Sequence, residues 1–444
     1  MNRRLFLAGS CTVAATASRV FGAAAPAADF VLSRRGCGRA SGYAETNKII
    51  THDGRTHVAW LDSEAGGFRA RIRTLDRSNG TWGSTVTLGE AHDNHGGPAL
   101  TIDREGFLHA VYGPHHHPFR YRRSRRPNDA GEWEDEIRFG ERLTYPTLVC
   151  AADNSLVLTA RRSHAKQPWE MELWRKPPGQ DWRFERMLAR ARYPGYAHFQ
   201  EGLVWGPDHR TLHLFCRFHE RSDKTGYGRI QTLAYLRSSD GGASWSRADG
   251  EPIALPTEAP QADVIAAGGL DVGRVLRVGG LAVDGQGHPV IAYSVVEETS
   301  GRGDCFVARP DQAGRWQSRP LRPFLPPRYS GWNFITPGCL TITDDGVFHF
   351  VGQLFRPETG VSGWGHPSNE VALLRSHDNG RSFSFQLLSG PDAETPNWLP
   401  NLERPTGFNR VPANPGMIYT AGGKGDRNTE ILANDVIWKT LPEA

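Results

Sequence analysis

Cysteine and methionine are scarce in this chain, with six and four residues among 444. The cysteines show no C-x-x-C spacing, and Cys11 falls in a segment expected to be removed. Cys37, Cys150, Cys216, Cys305 and Cys339 remain, an odd and widely spaced set. That pattern argues against a disulfide-stapled scaffold and leaves only an isolated bridge open. An excess of one charge sign is missing too: 52 basic residues face 48 acidic ones. Without Arg3, Arg4 and Arg19 of the leader, 49 face 48. Such a balance provides no electrostatic footprint for nucleic acid or an anionic membrane. An acidic partner must therefore be met by local arginines and histidines. No amphipathic helical stretch, phosphate-binding glycine loop, nucleotide fingerprint or Ser-His-Asp order is present.

Long apolar runs are also lacking. The stretch from Ala8 to Val20 is too short and alanine-rich for a stable membrane span. It follows Arg3-Arg4-Leu5-Phe6-Leu7, a twin-arginine pattern, and precedes small-residue cleavage sites around Ala23 to Ala27. Residues 1–28 are accordingly read as a twin-arginine-type signal peptide, and residues 29–444 as one periplasmic or secreted domain. Oligomeric state is not legible.

Glycine (50), proline (30) and tryptophan (13) are plentiful, which suits many short strands joined by tight turns. A turn leading into an alternating apolar strand recurs at His52–Trp60, Asp103–Tyr112, Asp208–Phe215, Asp284–Tyr293 and Asp344–Phe350, with a weaker copy at Ala152–Leu158. A second motif, S-x-D-x-G-x-[ST]-W, occurs at Ser238–Trp245 and, with a terminal phenylalanine, at Ser376–Phe383. Its aspartate can bond the turn amides and its aromatic can tuck beneath the hairpin. Degenerate echoes end in Trp82, Trp133, Trp182 and Trp316. Units of roughly 45 to 75 residues fit propeller blades with insertions. The fold expected is all-β: a single β-propeller with seven blades of four antiparallel strands.

In a propeller, the innermost strand of each blade delivers its first residues to one mouth of the central channel. His92-Asp93-Asn94-His95-Gly96-Gly97-Pro98 leads into one such strand, Tyr145-Pro146 opens another, and Tyr193-Pro194-Gly195-Tyr196 a third. His115-His116-His117, Arg161 and Arg217 stand one strand later. His57, His109, His213 and His349 share one repeated strand position and are read as structural. His95 and His115 differ, because both sit in glycine- and proline-bounded loops.

The run from His92 to Ser124, with Tyr145-Pro146, Arg161 and the motif at Ser238, resembles the BNR-repeat (Asp-box) family. Within it the likeness is to seven-bladed polysaccharide lyases of the ulvan lyase and rhamnose–glucuronate lyase kind. That resemblance implies a catalytic set of His95, His115, Tyr145 and Arg161, with Asn94, His116, Tyr196 and Arg217 binding substrate. The residues around His95 depart from the family's usual acidic pair, which leaves the glycan undefined.

The residue types suit β-elimination from a uronate. The C5 proton is barely acidic unless the adjacent carboxylate is neutralised, a task for Arg161 and His115. His95 and Tyr145 would share the acid–base work, in either order. The expected partner is an acidic, uronate-containing oligo- or polysaccharide. Hydrolysis on the same fold, rhamnose–glucuronate-directed or sialidase-like, is the main rival. It needs two carboxylates, for which Glu172, Glu201 and Glu298 are available without clustering. A non-catalytic sugar-binding propeller would use loop tryptophans such as Trp332, Trp364 and Trp398. No cofactor is needed for the chemistry. A structural zinc on His164, His198, Cys216 and His219 is a further expectation, although Cys216 and His219 point to opposite faces in a regular strand.

Overall fold

The computed structural model describes residues 29–223, 226–358, 363–390 and 394–442. The expected signal peptide over residues 1–28 lies outside these described residues. Helix is confined, among them, to four 3-10 turns of three residues each, and the rest is strand and turn. Every strand pairing is antiparallel, as the short alternating runs and turn chemistry require.

Three sheets are four-stranded meanders: Gly202–Trp205 to Asp263–Gly268, Arg274–Val283 to Trp316–Pro320, and Asn333–Ile342 to Ser384–Leu387. An eight-stranded sheet runs from Ala99–Ile102 to Arg183–Pro194. It is joined through Ile137–Cys150, whose first half pairs with His117–Arg126 and whose second half pairs with Leu156–Arg162. A nine-stranded sheet places the early strand Phe30–Gly36 beside Asn434–Thr440, so the two ends of the described chain are tied together.

The repeated strands are Arg55–Glu64, Leu108–Tyr112, Leu156–Arg162, Leu212–Glu220, Pro289–Glu297 and Phe348–Phe355. His57, His109, His213 and His349 are all buried within them. A further strand, Gly416–Ala421, fills the equivalent role beside Asn397–Leu402. It escaped notice because its turn is Ala413-Asn414-Pro415 rather than Asp-Gly. Both Asp-box turns are built alike. The Ser238 hydroxyl donates to Asp240 (2.7 Å), Asp240 accepts the Ser244 amide (2.9 Å), and Trp245 Nε1 donates to the Gly242 carbonyl (3.1 Å). At the second turn, Ser376 and Ser382 contact Asp378 in the same way (2.8 Å each). The echo at Trp133 keeps the indole bond, to the Ala130 carbonyl three residues back.

Sheets meet face to face. Val149, Met171 and Leu173 of one pack against Phe199, Leu203, Leu214 and Leu236 of the next, all essentially inaccessible. Each such side chain contributes roughly 1.5–3 kcal/mol of burial free energy. The five described cysteines are free and buried, so no disulfide forms among them. Trp398 is wholly buried with Trp364 edge-on at 5.0 Å, which makes it a packing residue rather than a sugar platform.

Candidate active site

Two histidine-bearing loops are drawn together by backbone that tolerates no side chain. A Cβ on Gly96 would lie 2.6 Å from Ala91 Cβ and 2.8 Å from the Gly113 carbonyl oxygen. In place of that clash, Gly113 donates its amide to Gly96 (3.1 Å) and accepts that of His92 (2.8 Å). His95 therefore stands beside His115, with ring centroids 3.8 Å apart and planes inclined by 21°.

Asp93 binds both rings. Its Oδ1 accepts the His95 amide (2.8 Å) and Nδ1 (2.9 Å), while Oδ2 accepts Nδ1 of His115 (2.6 Å). Burial alone would raise this carboxyl; the hydrogen bonds from His115 and His95 reverse that and hold it well below the usual carboxylate range. On His95 burial dominates, and with Arg39 and His115 it outweighs Asp93, pushing the imidazole down to about 3. His95 is thus neutral at physiological pH, with its proton on Nδ1. His116, whose φ is +63°, bonds Ser163 Oγ (2.7 Å) and lies 4.4 Å from His115.

Tyr145 enters from the neighbouring sheet region through a break in register. Thr144 pairs with Arg161 and Thr147 with Thr159, so two residues oppose one on the partner strand. Tyr145 takes up the surplus with φ at +61°, an uncommon region for a bulky residue. Its ring lies 6.0 Å from His95, 5.0 Å from Tyr43 and 4.3 Å from His198. Burial, reinforced by Tyr43 and Tyr196, raises the phenol well above its usual value, against Arg161 and Arg39.

Arg161 is fully buried, and none of its three guanidinium nitrogens has a hydrogen-bond partner among the described residues. Tyr145, Trp169 and Tyr196 cover it, with ring centres 4.7, 4.8 and 5.6 Å from Cζ. The expectation that Arg161 grips a carboxylate meets this wall of aromatic rings; as the side chains stand, its charge acts on Tyr145. Arg217 is nine-tenths buried and donates to the Leu276 carbonyl (2.5 Å). Asn94 is buried, with its amide on Asn428 (3.0 Å).

Sequence reasoning missed Asp93, Tyr43 and Arg39. Arg39 Nη1 lies 2.5 Å from His95 Nε2 and also reaches the Tyr43 hydroxyl. A signal existed for Tyr43: it stands just ahead of the strand Ile49–His52, as His95 does before Ala99–Ile102 and Tyr196 before Gly202–Trp205.

The expected zinc set is not assembled. Cys216 packs in an apolar core cluster, and His164 faces Glu170 (3.2 Å). Among the described residues, the one close group of possible ligand atoms is Asp93, His95 and His115. Each carboxylate oxygen there already takes an imidazole N–H, so hydrogen bonds account for the cluster. The carboxylates weighed for hydrolysis stay apart from it: Glu172 binds Arg162 and Trp174, Glu201 is fully buried, and Glu298 is exposed. A surface cleft of about 810 Å³ around Arg183, Trp205 and Arg210 shares no residue with the cluster.

A family described as BNR repeat-containing matches residues 55–323, more than half of the chain. Among curated proteins, an Ulvan Lyase-PL25 from Pseudoalteromonas sp. (strain PLSV) is 29% identical over 119 residues, 23% of either chain. An ulvan lyase from Alteromonas sp. (strain LOR) is 23% identical over 264 residues, 52% of this chain and 51% of that one. The matches thus span about a quarter and about half of these relatives. Among solved structures, a PL25 ulvan lyase superposes with a TM-score of 0.72 at 16% identity, covering 94% of this chain and 96% of that one. The same score is reached by a PL25 ulvan lyase bound to a GlcA(1-4)Rha3S repeat, at 15% identity with the same coverage. The polysaccharide lyase Uly1 gives 0.58 at 13% identity, covering 94% and 99%. At these identities the likeness is one of fold.

Proposed function

The chain belongs to the BNR repeat-containing family, and on that premise we propose that it is a polysaccharide lyase cleaving a uronate-containing glycan by β-elimination. The carrying observation is a neutral imidazole and a protonated phenol with rings 6.0 Å apart, His95 and Tyr145, next to the guanidinium groups of Arg39 and Arg161. A neutral imidazole accepts a proton and a protonated phenol gives one. His95 would take the C5 proton, and Tyr145 would protonate the C4 oxygen as the C4–O bond breaks and the C4=C5 bond forms. Arg161, behind Tyr145, would stabilise the phenolate that results. His115, whose Nδ1 is held by Asp93, and His116 and Tyr196 would line the sugar site. The two curated ulvan lyase relatives, and the PL25 structure holding a glucuronate–rhamnose-sulfate repeat, favour an acidic glycan of that class.

The reading extends to architecture and location. Dividing the two large sheets at Ile137–Cys150 and at the lone Gly36–Asp62 pairing leaves seven units, five of four strands and two in which the fourth position is shared by two short segments, Thr81–Trp82 with Val86–Ala91 and Asp129–Trp133 with the start of Ile137–Cys150. We take these as seven blades, with Phe30–Gly36 closing the last. The leader expected over residues 1–28 would export the folded enzyme to the periplasm or the medium. Among the described residues no helix is long and apolar enough to cross a membrane.

The test is ultraviolet absorbance of unsaturated uronate during incubation with ulvan and other uronate polysaccharides. Absorbance that rises, and that His95→Ala abolishes, supports the lyase. New reducing ends without absorbance would move the assignment to hydrolysis; neither signal would favour a sugar-binding propeller.

A further inference from the structure

We propose that Arg39, rather than Arg161, neutralises the substrate carboxylate, and that in the free protein the same guanidinium caps His95 Nε2 until the carboxylate draws it away. The inference rests on the lyase reading above.

Arg161 offers a ligand no surface. It is fully buried, with aromatic rings over it and, among the described residues, no hydrogen bond to any nitrogen. Arg39 has the opposite character. It is partly exposed, its Nε lacks a partner, and among the described residues no carboxylate pairs with it. Trp364 and Tyr43 hold the guanidinium plane, with ring centres 5.6 and 5.7 Å from Cζ. A positioned guanidinium that lacks an anion, beside a candidate general base, is built for a carboxylate.

The contact to His95 defines the free state. A guanidinium has only N–H donors, so Nε2 of His95, 2.5 Å from Arg39 Nη1, must be the acceptor. The ring proton is then on Nδ1, facing Asp93 Oδ1 (2.9 Å). The lone pair needed to take the C5 proton is therefore occupied while the site is empty. A uronate carboxylate competes for the same N–H groups with full charge and two oxygens. Once it takes them, Nε2 is free, and the cation that depressed the imidazole is neutralised. The C5–H pair becomes the C4=C5 π bond, the proton passes to Nε2, and the C4 oxygen leaves with the Tyr145 proton. The protein ends with His95 protonated and Tyr145 ionised, and solvent restores both. Because a neutral sugar cannot displace Arg39, the base is released only for an acidic residue.

The test compares Arg39→Ala, Arg39→Lys and Arg161→Ala, each checked for native thermal unfolding. Arg39→Ala should lower kcat/KM on ulvan by about 10²–10³-fold, the usual cost of losing a charge-stabilising donor. Added guanidinium chloride should restore part of it, and Arg39→Lys should be intermediate. The groups facing His95 are Asp93, His115, His116, His198, Arg39, Tyr43 and Tyr145. Of these only Arg39 is removed, so the acid limb of kcat/KM should move to higher pH. Activity within threefold of wild type, or a loss that neither guanidinium nor lysine relieves, would overturn the carboxylate role. Nitrogen NMR of His95 in the free protein tests the cap without substrate. An unprotonated Nε2 that changes in Arg39→Ala supports it; a protonated Nε2 in the wild type overturns it. If wild-type protein yields no unsaturated product, the lyase reading falls and the carboxylate role falls with it. The nitrogen signal still decides the cap.

Discussion

Tyr145 and Arg161 face each other across a break in strand register, with the guanidinium carbon 4.7 Å from the centre of the phenol ring. Among the described residues the charge has no hydrogen-bonded anion, and the ring faces of Tyr145, Trp169 and Tyr196 surround it. Removing the hydroxyl alone keeps that stacking. Tyr145→Phe should therefore fold normally and lose about 10²–10⁴-fold in kcat, the range for a general acid or base. KM on ulvan should change little. Unaltered turnover would remove Tyr145 from the chemistry.

Asp93 is the one carboxylate bonded to both imidazoles, and Asp93→Asn replaces one acceptor oxygen with a donor. One ring must then turn or lose its partner. We expect a fall in kcat on the order of 10²-fold or more, as when an orienting carboxylate is lost elsewhere. Nitrogen shifts of His95 or His115 should report the changed tautomer. The same arrangement predicts that dialysis against a chelator leaves the rate unchanged, since hydrogen bonds already occupy the carboxylate.

His349 gives a pH-dependent stability test. It is fully buried, neither ring nitrogen has a partner among the described residues, and burial, with Arg375 nearby, pushes it down to about 4 from 6.5. The unfolded chain takes up this proton near 6.5 while the folded chain does not until about 4. Stability is therefore lost as pH falls through that window. His349→Leu should flatten the dependence of Tm on pH between about 4 and 6.5. At pH 7 its effect should be within about 1 kcal/mol of neutral, because no hydrogen bond is lost. An unchanged pH slope would contradict the assignment.

The Asp-box turns should matter to stability and not to turnover. Asp240 accepts the Ser244 amide and the Ser238 hydroxyl; with the Ser244 hydroxyl these bonds outweigh burial and bring its carboxyl down to about 2. Asp240→Ala should cost about 1–2 kcal/mol in urea unfolding at pH 7. The kcat on ulvan should be unchanged. A large loss of turnover at full stability would give the turn a functional role it lacks here.

Local chemistry made the strands, the Asp-box turns and the histidine loops legible in one dimension, because alternation, turn residues and glycine act within a few positions. The catalytic candidates His95, His115, Tyr145 and Arg161 could be listed the same way. What each faces was not legible. Arg39 lies 56 residues from His95 in sequence, and Arg161 was credited with a ligand contact that three aromatic rings from two other strands and a loop now cover. Sequence alone thus determined which residues could carry charge or protons. Tertiary structure decided which are exposed, which are paired and which are neutral, because burial and field depend on neighbours that only the folded chain brings within a few ångströms.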